Sequence, residues 1–264
     1  MKIKQIRNAT LRIEYAGVNF LIDPWLAPIY SCGCFASHPG RPFHATDPVK
    51  ERILFPMAEL PESVDEILRD VHYYLTTHIH PDHIDVSPDG LVGAPLDKTL
   101  PTLVQNEADA EAFKRSGFQK VSVLSETPTN YGAATLTKTP ARHGTATPCG
   151  EACGVLFRAP NEKTLYLAGD TIFYEGVQKT LTTCKPDVVI LNACAAELQE
   201  NGRLIVNDED VESVVKTAPD ATLILSHMDV VPHASITRCT MRGLMARRGI
   251  KDYYMPEDGE TLEF

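Results

Sequence analysis

The chain has 264 residues, 43% of them hydrophobic and 23% charged, and its charges sum to −10. Such a composition excludes a disordered chain. The acidic sum speaks against a protein whose main work is gripping nucleic acid, so no nucleic-acid partner is expected. No apolar run reaches the roughly 18–20 residues of a membrane span, and the opening MKIKQIRNATLRIEY alternates instead of forming the apolar core of a signal peptide. A cytoplasmic protein without membrane association is the expectation.

In chain order, residues 1–23 read as strands, with the Leu11–Tyr15 alternation, a turn at Ala16-Gly17 and a second run from Val18 to Asp23. Residues 26–66 lose all periodicity and are rich in Pro, Gly, Cys and aromatics. A segment of this kind inside a domain is usually a pocket wall or lid. Val71–Thr76 is a strand that runs directly into His78. Then follow a strand around Thr102–Val104, a helix over Glu107–Ser116 stopped by Gly117, and strands over Lys120–Leu124 and Ala133–Thr139. A hairpin turns at Pro160–Lys163 and ends at Gly169-Asp170. Helical pattern covers Glu175–Cys184, Asp187–Leu191 is a buried strand, and Asn207 caps a helix reaching Thr217. A strand over Thr222–Leu225 leads to His227, a last helix spans Ser235–Arg248, and the tail makes one or two short strands around Asp258-Gly259. The pattern predicts one α+β domain over residues 1–264, with the 26–66 stretch as an insertion at the substrate site.

Seven cysteines, an odd number in a chain without an export signal, predict free thiols rather than a disulfide framework. The nine histidines are more informative, because three fall within six residues. In Thr77-His-Ile-His-Pro-Asp-His-Ile-Asp85, His78 and His80 point the same way in extended chain. Pro81 then turns the chain, so that Asp82 and His83 project nearby. Imidazole and carboxylate are donors that zinc, manganese and iron accept. Further donors stand where other strands end: His143, Asp170 and His227. Asp23, Asp85 and Asp229 are candidate acceptors that orient these rings from behind, and His233 is a candidate proton donor to a leaving group or a binder of a substrate phosphate. Cys32, Cys34, His38 and His44 are spaced too tightly for an ordinary zinc site and are expected to line or cover the pocket. Cys149 and Cys153 are expected to be inert thiols.

These motifs resemble those of the metallo-β-lactamase-fold hydrolases over essentially the whole chain. His-x-His-x-Asp-His matches at 78–83, the downstream His at 143, Gly-Asp at 169–170, the late His at 227, and the strand-end Asp at 23. The resemblance implies an αββα four-layer sandwich with two mixed sheets. It implies one ion on His78, His80 and His143, a second on Asp82, His83 and His227, and Asp170 bridging them. The ions, zinc or manganese with iron admissible, would share a hydroxide that attacks a small polar ester, lactone or phosphodiester, with Asp82 and Asp170 as catalytic carboxylates. Ile84-Asp85, Asp23-Pro-Trp and the tail Pro256–Glu263 are similar to the ascorbate-phosphate lactonase branch, whose members often assemble, so a homo-oligomer is admissible. A mononuclear iron oxygenase of the sulfur-dioxygenase type and a non-catalytic binding module are the alternatives on the same fold.

Overall fold

Leu11, Ile13 and Tyr15 are buried in β2 (Thr10–Tyr15), while Arg12 and Glu14 between them face outward. This period-two pattern commits the N-terminal strands to an antiparallel sheet with one face on the core. The protein is described here by a computed structural model covering residues 1–38, 40 and 43–264. Its first sheet also contains β1 (Lys2–Arg7), β3 (Val18–Ile22), β4 (Tyr73–Thr76), β5 (Pro101–Val104), β6 (Lys120–Val123) and, from the tail, β16 (Thr261–Glu263). The order is β16-β1-β2-β3-β4-β5-β6, antiparallel from β16 to β3 and parallel from β3 onward.

The second sheet is built from β7 (Thr129–Tyr131), β8 (Ala134–Pro140), β9 (Cys153–Arg158), β10 (Leu165–Leu167), β11 (Val188–Asn192), β14 (Thr222–Ser226) and β15 (Tyr253–Tyr254). Its order is β15-β14-β11-β10-β9-β8-β7, parallel from β15 to β10 and antiparallel from there to β7. Every residue of β11 is buried, as a central parallel strand covered on both faces requires. A separate hairpin, β12 (Glu197–Leu198) with β13 (Gly202–Arg203), lies between β11 and β14 in the chain.

Three apolar layers hold the elements together. Ile13, Phe20 and Leu75 of the first sheet meet Val155, Phe157 and Ile190 of the second across the inner layer. The short helix α1 (Val64–Leu68) and α2 (Glu107–Arg115) cover the outside of the first sheet through Ile67, Ala110 and Phe113. Helices α3 (Glu175–Cys184), α4 (Asp208–Thr217) and α5 (Arg238–Arg247) cover the second through Leu181, Val214 and Met241. This is the expected αββα sandwich. The caps follow ordinary chemistry: Asn106, Asn207 and Thr237 each accept a hydrogen bond from a first-turn N–H. Thr237 starts α5 later than the sequence pattern suggests. The same pattern also omits β7, α1 and the β12–β13 hairpin. The two tail strands divide between the sheets, β15 beside β14 and β16 beside β1.

Residues 39, 41 and 42 of the 26–66 insertion lie outside the described residues. The rest is tied to the core by a buried cation. Arg7 of β1 donates from Nη2 to the Ala27 carbonyl at 2.8 Å and to that of Trp25 at 3.3 Å, and from Nη1 to the Ala58 carbonyl at 3.0 Å. Its guanidinium stacks over Trp25, 4.8 Å from the ring centroid. The start of the insertion and its later stretch at Ala58 therefore hang on one side chain. Arg7→Met keeps the apolar stem and leaves three carbonyls unpaired, so it should cost about 2–4 kcal/mol in urea unfolding. A loss below about 0.5 kcal/mol would show that the insertion is held by other contacts.

Candidate metal centre

The parallel strands of both sheets deliver their carboxyl ends to one edge, where ligands gather in sheets of this kind. β4 ends beside Thr77-His78, β8 leads to His143, β10 to Gly169-Asp170 and β14 to His227. Gly169 has φ +67°, and a side chain there would run into the Cys153 carbonyl, so glycine is what lets Asp170 turn into the edge. His227 has φ +63°, a left-handed conformation that is unfavourable for a histidine and is held by the surrounding contacts.

All seven predicted donors converge. Nδ1 of His80 lies 3.0 Å from Nε2 of His78 and 3.4 Å from Nε2 of His143. Nε2 of His227 lies 3.2 Å from Nε2 of His83 and 3.3 Å from Oδ2 of Asp82. Asp170 stands between the two groups: its Oδ2 is 3.3 Å from His83, 3.7 Å from His143 and 3.9 Å from His78, and its Oδ1 is 4.0 Å from His227. Two bonds of about 2.0–2.1 Å at a tetrahedral angle separate ligand atoms by roughly 3.3 Å. The donor sets His78/His80/His143, His78/His83/Asp170 and Asp82/His83/His227 each bring their ligand atoms within 4.8 Å of one another, close enough to draw in around a divalent ion.

The tautomers are set from behind. Nδ1 of His83 donates to Asp23 Oδ2 at 2.9 Å, and Nδ1 of His143 donates to the Leu204 carbonyl at 3.2 Å. Thr77 donates its hydroxyl to Asp23 at 2.8 Å, which leaves its oxygen to accept from His78 Nδ1 at 3.2 Å. The Cys194 thiol stands 3.6 Å from Nδ1 of His227. Four rings thereby turn Nε2 inward. Asn192 donates to Asp170 Oδ1 at 2.7 Å and fixes that carboxylate. Thr77, Asn192, Cys194 and the Leu204 carbonyl escaped the sequence reading. Two of them carry a visible signal, since Thr77 and Asn192 are polar residues at the carboxyl ends of apolar strands.

Two expected orienting acids do other work. Asp85 accepts from the Leu26 N–H at 2.9 Å and touches no site histidine, because the turn after Pro81 aims it at the insertion's first peptide groups. Asp229 accepts from the Arg238 N–H and guanidinium, both at 3.0 Å, and so buttresses the start of α5. Asp23 does sit behind the site, on His83 and Thr77. Among the described residues, Cys32, Cys34, His38 and His44 form no ligand cluster. His38 packs on Phe55, and His44 faces Glu51 at 3.4 Å. All seven thiols are free, and burial pushes Cys149 up to about 12.

A cavity of about 410 Å³, counting its open mouth, lies over the donors. Its walls are Phe35, Phe43, Phe55, Cys149, Leu198 and Leu204, and its floor includes His80, Asp82, His143 and Asp170. His233 is on the wall, 5.3 Å from Phe35 by ring centroids, and burial lowers it to about 4, so it is a neutral imidazole near pH 7.

Fold and site together define a metal-dependent hydrolase. The chain belongs to the beta-lactamase superfamily, whose domain matches residues 19–228. It is 36% identical to the UPF0173 protein YddR of Bacillus subtilis (strain 168), over the full length of both chains. Among solved structures it is similar to an isothiocyanate hydrolase from Delia radicum gut bacteria, with TM-score 0.90, 34% identity and coverage of 100% of this chain and 99% of that one. It is also similar to a possible metal-dependent hydrolase from Veillonella parvula DSM 2008, with TM-score 0.88, 32% identity and coverage of 99% and 98%. No helix among the described residues is long and apolar enough to cross a membrane.

Burial holds His78, His80 and His143 toward the neutral form, His80 down to about 3. At His83 burial is outweighed by the Asp170, Asp23 and Asp82 carboxylates, which hold it up to about 10. His227 is raised well above its ordinary value, with Cys194, Asp170 and Asp82 overcoming burial. The carboxylates thus favour protons on these two rings at the atoms where cations fit. Loading must expel both, so affinity should rise with pH through the neutral range. Calorimetric titration with zinc at pH 7, in buffers of different ionisation enthalpy, should register about two protons released per fully loaded chain. A value near zero would show that both rings are already neutral.

Proposed function

We propose that the chain is a dinuclear hydrolase of small, neutral, mainly apolar electrophiles, with isothiocyanates first and lactones or simple esters next. The observation that carries this is the cavity lining. It offers three phenylalanines and two leucines above the donors, and no Lys or Arg among its described residues. A phosphodiester would bring its negative charge against apolar walls, whereas a neutral organic group gains by burial there. The similarity to a solved isothiocyanate hydrolase supports the same choice, and the lactonase-like motifs keep lactones beside it. The convergence of seven donors supports two ions, of zinc or manganese, because a mononuclear iron centre would use only three or four of them.

His78, His80 and His143 would hold one ion, Asp82, His83 and His227 the other, and Asp170 both. Bound there, the pair would supply Lewis acidity and an acidified water. For an isothiocyanate the overall change is R–N=C=S + H₂O → R–NH₂ + COS: oxygen joins the central carbon, the N=C double bond breaks while R–N is kept, and nitrogen takes up both protons of the water. The aromatic walls exclude bulk water and press the organic group over the floor. His233, neutral in this setting, donates a hydrogen bond to the nitrogen or oxygen that departs and relays its proton, rather than acting as a charged acid. Asn192 and Asp23 keep the floor carboxylate and the rings in register.

A panel read by loss of the N=C=S absorbance, with lactone and phosphodiester arms, should show turnover of isothiocyanates or lactones at least 100-fold above any phosphodiester. Phosphodiester turnover alone would overturn the substrate reading. His80→Ala should abolish turnover in a folded chain. His233→Ala should lower kcat by about 10–100-fold with metal content unchanged, and metal loss in that variant would make His233 a ligand instead.

A further inference from the structure

The β1–β2 turn brings one more side chain to the centre. Asn8 is fully buried and has φ +54°. Glycine adopts this left-handed conformation most cheaply, and Asn is one of the few other residues that tolerate it. A side chain is therefore kept where the backbone does not ask for one. That side chain is directed at two donors from opposite sheets. Its Nδ2 donates to the Asp82 carbonyl at 3.0 Å and lies 3.3 Å from Nε2 of His227, although these residues are 74 and 219 positions away. The Asn8 carbonyl also accepts from the His227 N–H and the Ser226 hydroxyl, both at 3.1 Å. Oδ1 of Asn8 is buried with no described partner. Nothing else among the described hydrogen bonds holds the Asp82 carbonyl, and the left-handed backbone of His227 needs outside support.

We propose that Asn8 is a positioning residue for the second ion site alone. Its amide fixes the Asp82 peptide by a hydrogen bond and packs against the His227 ring, and so sets the separation of two of the donors of that site. This rests on the two-ion reading above. None of the Asn8 contacts reaches His78, His80 or His143, so the effect is selective. A general link between the sheets would not distinguish the two ions.

The test is stepwise zinc titration of metal-free protein against a competing chelator, with elemental analysis and a thermal melt. Asn8→Gly deletes the amide while easing the turn. It should leave the first affinity unchanged and weaken the second about 10–100-fold, with limiting metal giving close to one equivalent. Asn8→Ala should show the same selective loss with a lower melting temperature, because alanine is strained at this φ. A glycine variant with the wild-type second affinity overturns the role of the amide. Equal loss at both ions makes Asn8 a structural link and also overturns it. A wild-type chain that takes one ion fails the two-ion reading and the inference together, whereas two ions bound with the same affinities in both proteins sink the inference alone.

Discussion

The Asp23 carboxylate is the constraint on which the centre depends. It is 1% exposed and accepts three hydrogen bonds: from the Thr77 N–H at 2.7 Å, the Thr77 hydroxyl at 2.8 Å and His83 Nδ1 at 2.9 Å. These bonds join the end of β3 to the segment after β4, so two neighbouring strands present their donors in fixed relation. Through the Thr77 hydroxyl, Asp23 also determines which nitrogen of His78 faces inward. A buried carboxylate with three donors is satisfied. Were it replaced by a neutral group, both imidazoles would be free to turn over, and a ring that presents N–H to the centre cannot bind an ion.

The electrostatics then explain why the site selects cations without help from the rest of the surface. Asp23, Asp82 and Asp170 lie within one shell of buried imidazoles, and that many carboxylates under apolar walls demand positive charge. Protons on His83 and His227 meet the demand in the metal-free chain. Divalent ions meet it better, because the same lone pairs then bind a charge of two at bond distance. Proton and metal therefore compete for identical atoms, which makes the pH dependence of loading a property of the fold.

What could be seen in the sequence follows from how local each feature is. The histidine motif was legible because its donors lie within six residues and strand geometry fixes their directions. Asp170 and His227 were legible because each follows an apolar run that reads as a buried strand, and His143 because it follows the alternating strand over residues 133–139. Asp85 and Asp229 were misread: sequence nearness to a histidine says nothing about which way a turn rotates the carboxylate, and the Leu26 N–H and Arg238 claimed them instead. The insertion was illegible beyond its composition. Its shape rests on Arg7 and on the β12–β13 hairpin, where Gln199 donates to the Ala45 carbonyl at 2.9 Å. Two-residue strands and a single buried arginine leave no periodic trace.

The two halves of the site have different origins, and this division determines how the protein can vary. The floor is built by strand ends common to both sheets, so altering it disturbs the core. The walls come from the insertion, through Phe35, Phe43 and Phe55, and from the hairpin region, through Leu198 and Leu204. Ala45 pairs with Leu198 in a β-bridge, so the two wall segments brace each other rather than the sheets. The hairpin's far end also reaches the floor, since the Leu204 carbonyl sets the His143 tautomer. A wall that moves to admit a different organic group therefore pulls on the first ion site, through the Leu204 carbonyl at His143 and through Phe43 against His80. Substrate fit and the basicity of His143 are coupled through Leu204, while Asp82, His83 and His227 remain anchored to Asp23 and the β1–β2 turn.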